Sequence, residues 1–173
     1  MPSEIRWIGG CGVEPGIRYR HTSDASMNML IIGYGNPGRL DDGLGPAFAE
    51  RMAEANLPGV IVESDYQLNI EDAALIAGHD LVVFADASVN AVEPFAFETI
   101  TPCEPMVGFS SHSITAESLL GLAEQLFEAR PRAFAMAIRG YEFNEFGERL
   151  SEQAQQNLAA AVAFFRQWAE AAG

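Results

Sequence analysis

Residues 30–45, LIIGYGNPGRLDDGLG, decide the fold that this chain can adopt. An apolar segment runs into closely spaced glycines, and two adjacent aspartates then precede a segment with helical periodicity. A strand, a tight turn and a helix in this order start an α/β unit. Gly33, Gly35 and Gly38 also match G-x-G-x-x-G, the pattern of dinucleotide-binding turns.

Two features weaken the dinucleotide interpretation. Pro37 has no N–H to offer a phosphate, and Asp41 and Asp42 lie before the helix, where they would repel a pyrophosphate. An acid near the end of the second predicted strand, Glu63 or Asp65, keeps the interpretation open. GYGNPG also resembles the start of peptidyl-tRNA hydrolases, but the histidine-bearing segment that follows there is missing here. A dinucleotide-binding or non-catalytic α/β module therefore remains the alternative function.

Composition limits the class of protein. With 173 residues, 49% of them hydrophobic, the chain suits one domain with a real core. No apolar run approaches the roughly 20 residues that span a bilayer, and the N-terminus does not resemble a signal peptide. All ten basic residues are arginines and the net charge is −14, which argues against nucleic acid as a partner. We expect a cytoplasmic monomer with no membrane partner, and no disulfide between Cys11 and Cys103.

The hydrophobic pattern predicts one domain over residues 29–173, preceded by an atypical and flexible extension over residues 1–28. Strands are predicted at 29–32, 60–63, 81–85, 94–100 and 132–138, the fourth at a sheet edge. Helices are predicted at 43–56, from 69 or 70 to 77, from 115 to about 128, and after Ser151. Thr115 and Ser151 are expected helix caps, and Leu126 and Phe127 are expected core residues. This order predicts a three-layer α/β fold, with a mostly parallel sheet of about five strands and helices on both faces.

Three side chains follow strands or precede helices in a way that favours a metal site. Asp86 directly follows LVVFA, the most apolar strand, where a carboxylate is costly unless it is paired or bound to a cation. Asp42 and His112 lie in two other connections, which a doubly wound sheet brings to the same edge. Two carboxylates and an imidazole suit a divalent transition ion with open positions. Each residue could instead be structural, with Asp86 capping the turn that follows it.

The chain resembles the hydrogenase maturation proteases, the endopeptidases that trim the large subunit of nickel–iron hydrogenases. Four segments carry the resemblance: GYGNPGRLDDGLGP (33–46), DLVVFADAS (80–88), SSHSITAESLL (110–120) and RGYEF (139–143). The resemblance covers nearly everything from Met29 to the last helix and implies a phosphorylase/hydrolase-like α/β domain. It also implies that the partner is a large-subunit precursor, from which a short C-terminal extension is removed.

The resemblance further implies that nickel arrives bound to the substrate, and that the protein keeps no permanent cofactor. The residues implied to contact this nickel are Asp42, Asp86 and His112. Asp42 is thus a metal ligand and a catalytic candidate. The neighbouring Asp41 is either a general base beside the metal or a helix cap, and the sequence leaves both roles open.

Overall fold

A computed structural model describes residues 28–103 and 114–172 of the chain. The predicted extension, apart from Asn28, and the predicted ligand His112 lie outside these residues. The strands are β1 (Met29–Tyr34), β2 (Val60–Asp65), β3 (Leu81–Ser88), β4 (Phe95–Ile100) and β5 (Arg132–Arg139). The helices are α1 (Leu44–Ala55), α2 (Asp72–Ala77), α3 (Ala116–Phe127) and α4 (Glu152–Ala172), and a 3₁₀ turn (Leu40–Gly43) precedes α1.

The five strands form one sheet in the order β2-β1-β3-β5-β4. All pairings are parallel except that of β4 with β5, so the predicted edge strand is confirmed and is antiparallel. The four parallel strands end at the same side of the sheet, which we call the carboxyl edge. Four connections lie at this edge, spanning residues 35–43, 66–71, 89–94 and 140–151. Functional side chains in such folds gather at this edge.

The core lies on both faces of the sheet, as predicted. Strand β3 supplies Leu81, Val83 and Ala85 to the cluster under α1 and α4, and Val82 and Phe84 to the cluster under α2 and α3. This burial on two faces explains why LVVFA reads as a continuous apolar run. No helix within the described residues is long and apolar enough to cross a bilayer.

The predicted helix caps are confirmed, but one end of α3 differs from the prediction. Thr115 Oγ1 accepts a hydrogen bond from Ser118 N (3.2 Å), and Ser151 Oγ accepts one from Ala154 N (3.3 Å). The prediction that Leu126 and Phe127 belong to the core is wrong, since they are 60% and 49% exposed. They continue the apolar face of α3 into its last turn, where the sheet no longer covers that face.

Two glycines allow α1 to lie directly on the strand ends. A Cβ on Gly45 would collide with the backbone oxygen of Tyr34 and come within 2.5 Å of Ala85 O. A Cβ on Gly33 would come within 2.7 Å of the Ala49 side chain in α1. The glycine spacing in the opening stretch therefore serves close packing of a helix on a sheet.

We predict that Gly45→Ala lowers the free energy of unfolding by about 3 kcal/mol or more, because backbone atoms that cannot move aside would overlap the added methyl group. The control is Gly78→Ala at the end of α2, where the nearest atom to the new Cβ lies 3.5 Å away. Urea unfolding measures both variants. Equal stability of the two would show that α1 can lift off the strands without cost.

Candidate functional site

Asp42 lies in the 3₁₀ turn at the carboxyl edge, half-buried beside the end of β1. Its Oδ2 accepts a hydrogen bond from Asn36 N at 3.0 Å. Asn36 Oδ1 in turn accepts one from Gly38 N at 2.9 Å. These bonds fix the glycine-rich connection around the Asp42 carboxylate, which has a second oxygen for other partners.

The backbone donors of the glycine-rich connection are already used within the chain. A dinucleotide turn needs free N–H groups that point at a pyrophosphate. Here four consecutive available N–H groups each have an acceptor, and Pro37 has no N–H. The donors and acceptors are Gly35 N to Asp65 O (3.1 Å), Asn36 N to Asp42 Oδ2 (3.0 Å), Gly38 N to Asn36 Oδ1 (2.9 Å) and Arg39 N to Asn36 O (3.0 Å). This arrangement disfavours the dinucleotide alternative.

Asp86 lies near the end of β3 and is half-buried. Its Oδ1 accepts a hydrogen bond from Ala87 N at 2.7 Å. Burial, and to a lesser extent the negative charge of Asp42, raise the pKa of Asp86 from its ordinary 3.8 to about 6, against the lowering effects of hydrogen bonds from the Ala87 N–H and from Tyr34. The structure therefore brings Asp42 and Asp86 close enough to repel each other.

Tyr34 lies beside Asp86, and the charge of Glu117 acts on Tyr34. Alternation along β1 places Leu30, Ile32 and Tyr34 on one face, and the register puts Tyr34 beside Asp86 on the neighbouring strand. Burial, with the negative charges of Asp86 and Glu117, raises the pKa of the Tyr34 phenol, so it remains a protonated hydrogen-bond donor. Glu117 lies in the first turn of α3. Neither residue was predicted from the sequence, although strand alternation together with parallel pairing of β1 and β3 would have placed Tyr34 beside Asp86.

Asp41 is fully buried, and its carboxylate accepts four hydrogen bonds. It does not cap α1, because no side chain caps this helix at its N-cap residue Gly43, so of the two roles that the sequence left open the helix cap does not apply. Its partners are instead about a hundred residues away in the 140–151 connection and at the start of α4. They are Tyr141 N (2.8 Å), Glu142 N (2.9 Å) and Ser151 Oγ (2.7 Å) to Oδ2, and Ser151 N (2.7 Å) to Oδ1.

The described residues contain part of the predicted metal site. Asp42 and Asp86 lie together at the carboxyl edge, whereas His112 lies outside the described residues. Within residues 28–103 and 114–172, no three histidine, cysteine or acidic side chains form a metal-binding group. In the same residues the ion pairs are Arg130–Glu124 and Arg149–Glu142, and neither neutralises Asp42 or Asp86. Among the described residues, no ion pair therefore offsets the negative charge of the two aspartates.

We predict that Asp86→Asn stabilises the metal-free protein above pH 7 by about 3 kcal/mol and has little effect below pH 4. The pKa of Asp86 is higher in the folded than in the unfolded chain, so the folded state binds the proton more tightly. The wild type therefore loses stability as the pH rises from about 4 through about 6, and the asparagine variant does not. Chemical unfolding at several pH values tests this, with the exposed Glu98→Gln as the control for net charge. Parallel pH profiles for Asp86→Asn and wild type would contradict it.

We predict that Asp41→Asn lowers the free energy of unfolding by about 1–3 kcal/mol, since its amide would point a donor at a buried donor. The matched control is Asp42→Asn on the adjacent residue, where the one backbone bond from Asn36 can still be accepted. Urea unfolding of both variants provides the measurement. If Asp41→Asn had the same free energy of unfolding as the wild type, the four hydrogen bonds to Asp41 would contribute nothing to stability.

Comparison with known proteins identifies the fold. No protein-family model matches the chain, and no curated protein matches it in sequence. The NiFe hydrogenase maturation protease HycI from Thermococcus kodakarensis is 23% identical, with a TM-score of 0.63 over 85% of this chain and 93% of that one. The hydrogenase 2 maturation peptidase from a Thaumarchaeota archaeon is 19% identical, with a TM-score of 0.60 over 81% and 96%. The hydrogenase maturating endopeptidase HybD from E. coli is 16% identical, with a TM-score of 0.60 over 85% and 94%. The chain thus has the α/β fold of solved hydrogenase maturation proteases.

Proposed function

We propose that the protein is an endopeptidase that removes the C-terminal extension of a nickel-loaded NiFe hydrogenase large-subunit precursor. The observation that supports the proposal is that Asp42 and Asp86 lie near enough, at the carboxyl edge of a fold shared with hydrogenase maturation proteases, for the charge of Asp42 to raise the pKa of Asp86. The four sequence segments that resemble that family include both aspartates and His112.

The chemistry of this pair favours a divalent cation as its partner. Each of two neighbouring carboxylates raises the free-energy cost of ionising the other, and a bound cation removes that cost for both. The described residues supply no ion-paired arginine to either aspartate. His112 would add an imidazole ligand, and oxygen and nitrogen donors of this kind suit nickel.

In this proposal nickel belongs to the substrate and not to the protein. Asp42, Asp86 and His112 bind a precursor tightly only after it has received its metal, so affinity couples cleavage to metal loading. The substrate's nickel then polarises the scissile carbonyl or lowers the pKa of an attacking water. No permanent cofactor is needed, and the protein acts as a cytoplasmic monomer.

We assign Asp41 a positioning role in this reaction and not the role of general base. A general base needs a free lone pair directed at a water or at the substrate. The Asp41 carboxylate is 0% exposed and already accepts four hydrogen bonds. Its contribution is to hold the turn that carries Asp42.

We predict that Asp86→Ala and His112→Ala each slow precursor processing by at least about a hundredfold, which corresponds to the loss of several kcal/mol of transition-state stabilisation. The assay incubates each variant with a nickel-loaded, unprocessed large subunit and follows loss of the C-terminal peptide by mass spectrometry. The matched control is Asp80→Ala, an exposed aspartate at the opposite end of the same strand, which should process at the wild-type rate.

Full processing by both site variants would overturn the proposed role of Asp86 and His112 in recognising nickel. Titration of the wild type with nickel or cadmium, and separately with NAD or NADP, distinguishes the proposal from the dinucleotide alternative. Nucleotide binding without metal binding would favour the alternative. Circular dichroism establishes that each variant is folded before its rate is compared.

A further inference from the structure

Exposed apolar side chains cluster at the carboxyl edge, around the two aspartates. Nine large hydrophobic residues are exposed within the described part of the chain, and five of them lie in connections at this edge. We call these five the apolar rim: Tyr66 (67% exposed), Ile70 (46%), Val89 (53%), Val92 (70%) and Phe146 (91%). Single exposed apolar residues are ordinary, but several around one site mark an interaction surface.

The rim lies on both sides of the acidic pair. In the strand order, Tyr66 and Ile70 follow β2 on one side of β1, and Val89 and Val92 follow β3 on the other. Phe146 follows β5 in the chain, but its neighbour Gly147 is hydrogen-bonded to the connection after β1, so Phe146 lies beside the turn that carries Asp42. Asp42 follows β1 and Asp86 lies near the end of β3, so both aspartates lie between the connections that carry the rim. With strands about 4.8 Å apart, the five-stranded edge is about 20 Å wide, a width that suits one face of a folded protein.

Phe146 is presented by a connection that is held in place. Residues 140–151 form neither helix nor strand, yet Leu40 N donates to Gly147 O (2.9 Å) and Gly147 N donates to Gly38 O (2.9 Å). Asp41 binds three further N–H groups of Tyr141, Glu142 and Ser151. A preorganised aromatic anchor loses little entropy on binding, and such residues dominate interface energies.

We propose that the apolar rim docks the folded body of the protein substrate, so that recognition extends beyond the metal and the cleaved peptide. The inference rests on the proposed function and defines the partner's chemistry. The partner presents an apolar surface around a positively charged, metal-bearing centre. This centre complements the Asp42–Asp86 pair, which has no ion-pair partner among the described residues, and the apolar surface complements the apolar rim.

The test uses a double variant that carries both Phe146→Ser and Val92→Ser, and so removes one rim residue from each of two connections. This rim variant is compared with the wild type. The matched control is Leu126→Ser with Phe127→Ser, two exposed apolar residues at the opposite edge. Processing and binding of the full-length nickel-loaded precursor give KM, kcat and Kd. We expect the rim variant to raise KM and Kd about tenfold or more with kcat within about twofold, and the control to change none of them.

Unchanged KM and Kd in the rim variant would overturn the docking inference while leaving the proposed function intact. A wild type that binds the precursor but does not cleave it would overturn the proposed function, and the Kd of the rim variant would still decide the docking. A wild type that neither binds nor cleaves overturns both.

A photoreactive side chain identifies the occupant of the rim directly. With p-benzoylphenylalanine in place of Phe146 in the full chain, ultraviolet light should cross-link the protein to the precursor. Cross-links to a second copy, or to residues 1–27 or 104–113 of the same chain, would assign the surface to those occupants and overturn the inference.

Discussion

The buried carboxylate of Asp41 is the interaction on which the rest of the site depends. A carboxylate removed from water is costly unless each oxygen is satisfied, and here four donors from distant parts of the chain converge on it. The bonds join the turn after β1, the connection after β5 and the start of α4. Because the donors are mostly backbone N–H groups, they fix where the chain runs and not only where one side chain points.

The glycines provide the second constraint, and it acts on the same turn. Gly33 and Gly45 let α1 approach the strand ends so closely that the 3₁₀ turn is placed at the carboxyl edge. The N–H groups that a phosphate would need are consumed in making that turn. A pattern typical of nucleotide binding thus serves to place Asp42, and the difference lies in where the donors point and not in the spacing of the glycines.

Local signals predicted most of the fold, whereas long-range partners could not be predicted. The strands, the order of elements, and the caps Thr115 and Ser151 follow from periodicity and from local hydrogen-bonding chemistry. The role of Asp41 was missed because its partners lie 100 to 110 residues away, and no local pattern encodes them. Leu126 was misplaced because amphipathic spacing gives the face of a helix but not where the sheet beneath it ends. That Asp42 and Asp86 lie at the same edge was predictable, because the carboxyl ends of neighbouring parallel strands share one edge of the sheet. The position of His112 stays a prediction.

The proximity of Asp42 and Asp86 connects stability with recognition. Burial and repulsion by Asp42 hold the pKa of Asp86 at about 6, so at neutral pH the ionised Asp86 carboxylate destabilises the folded protein. In the proposed function, a divalent cation carried by the substrate would remove this repulsion, and that gain would add to its binding free energy. A neutral peptide, or a precursor without metal, would leave the repulsion between the two aspartates unchanged. In the proposed function this difference lets a small acidic site discriminate a loaded from an unloaded substrate, while the apolar rim supplies affinity that is independent of the metal.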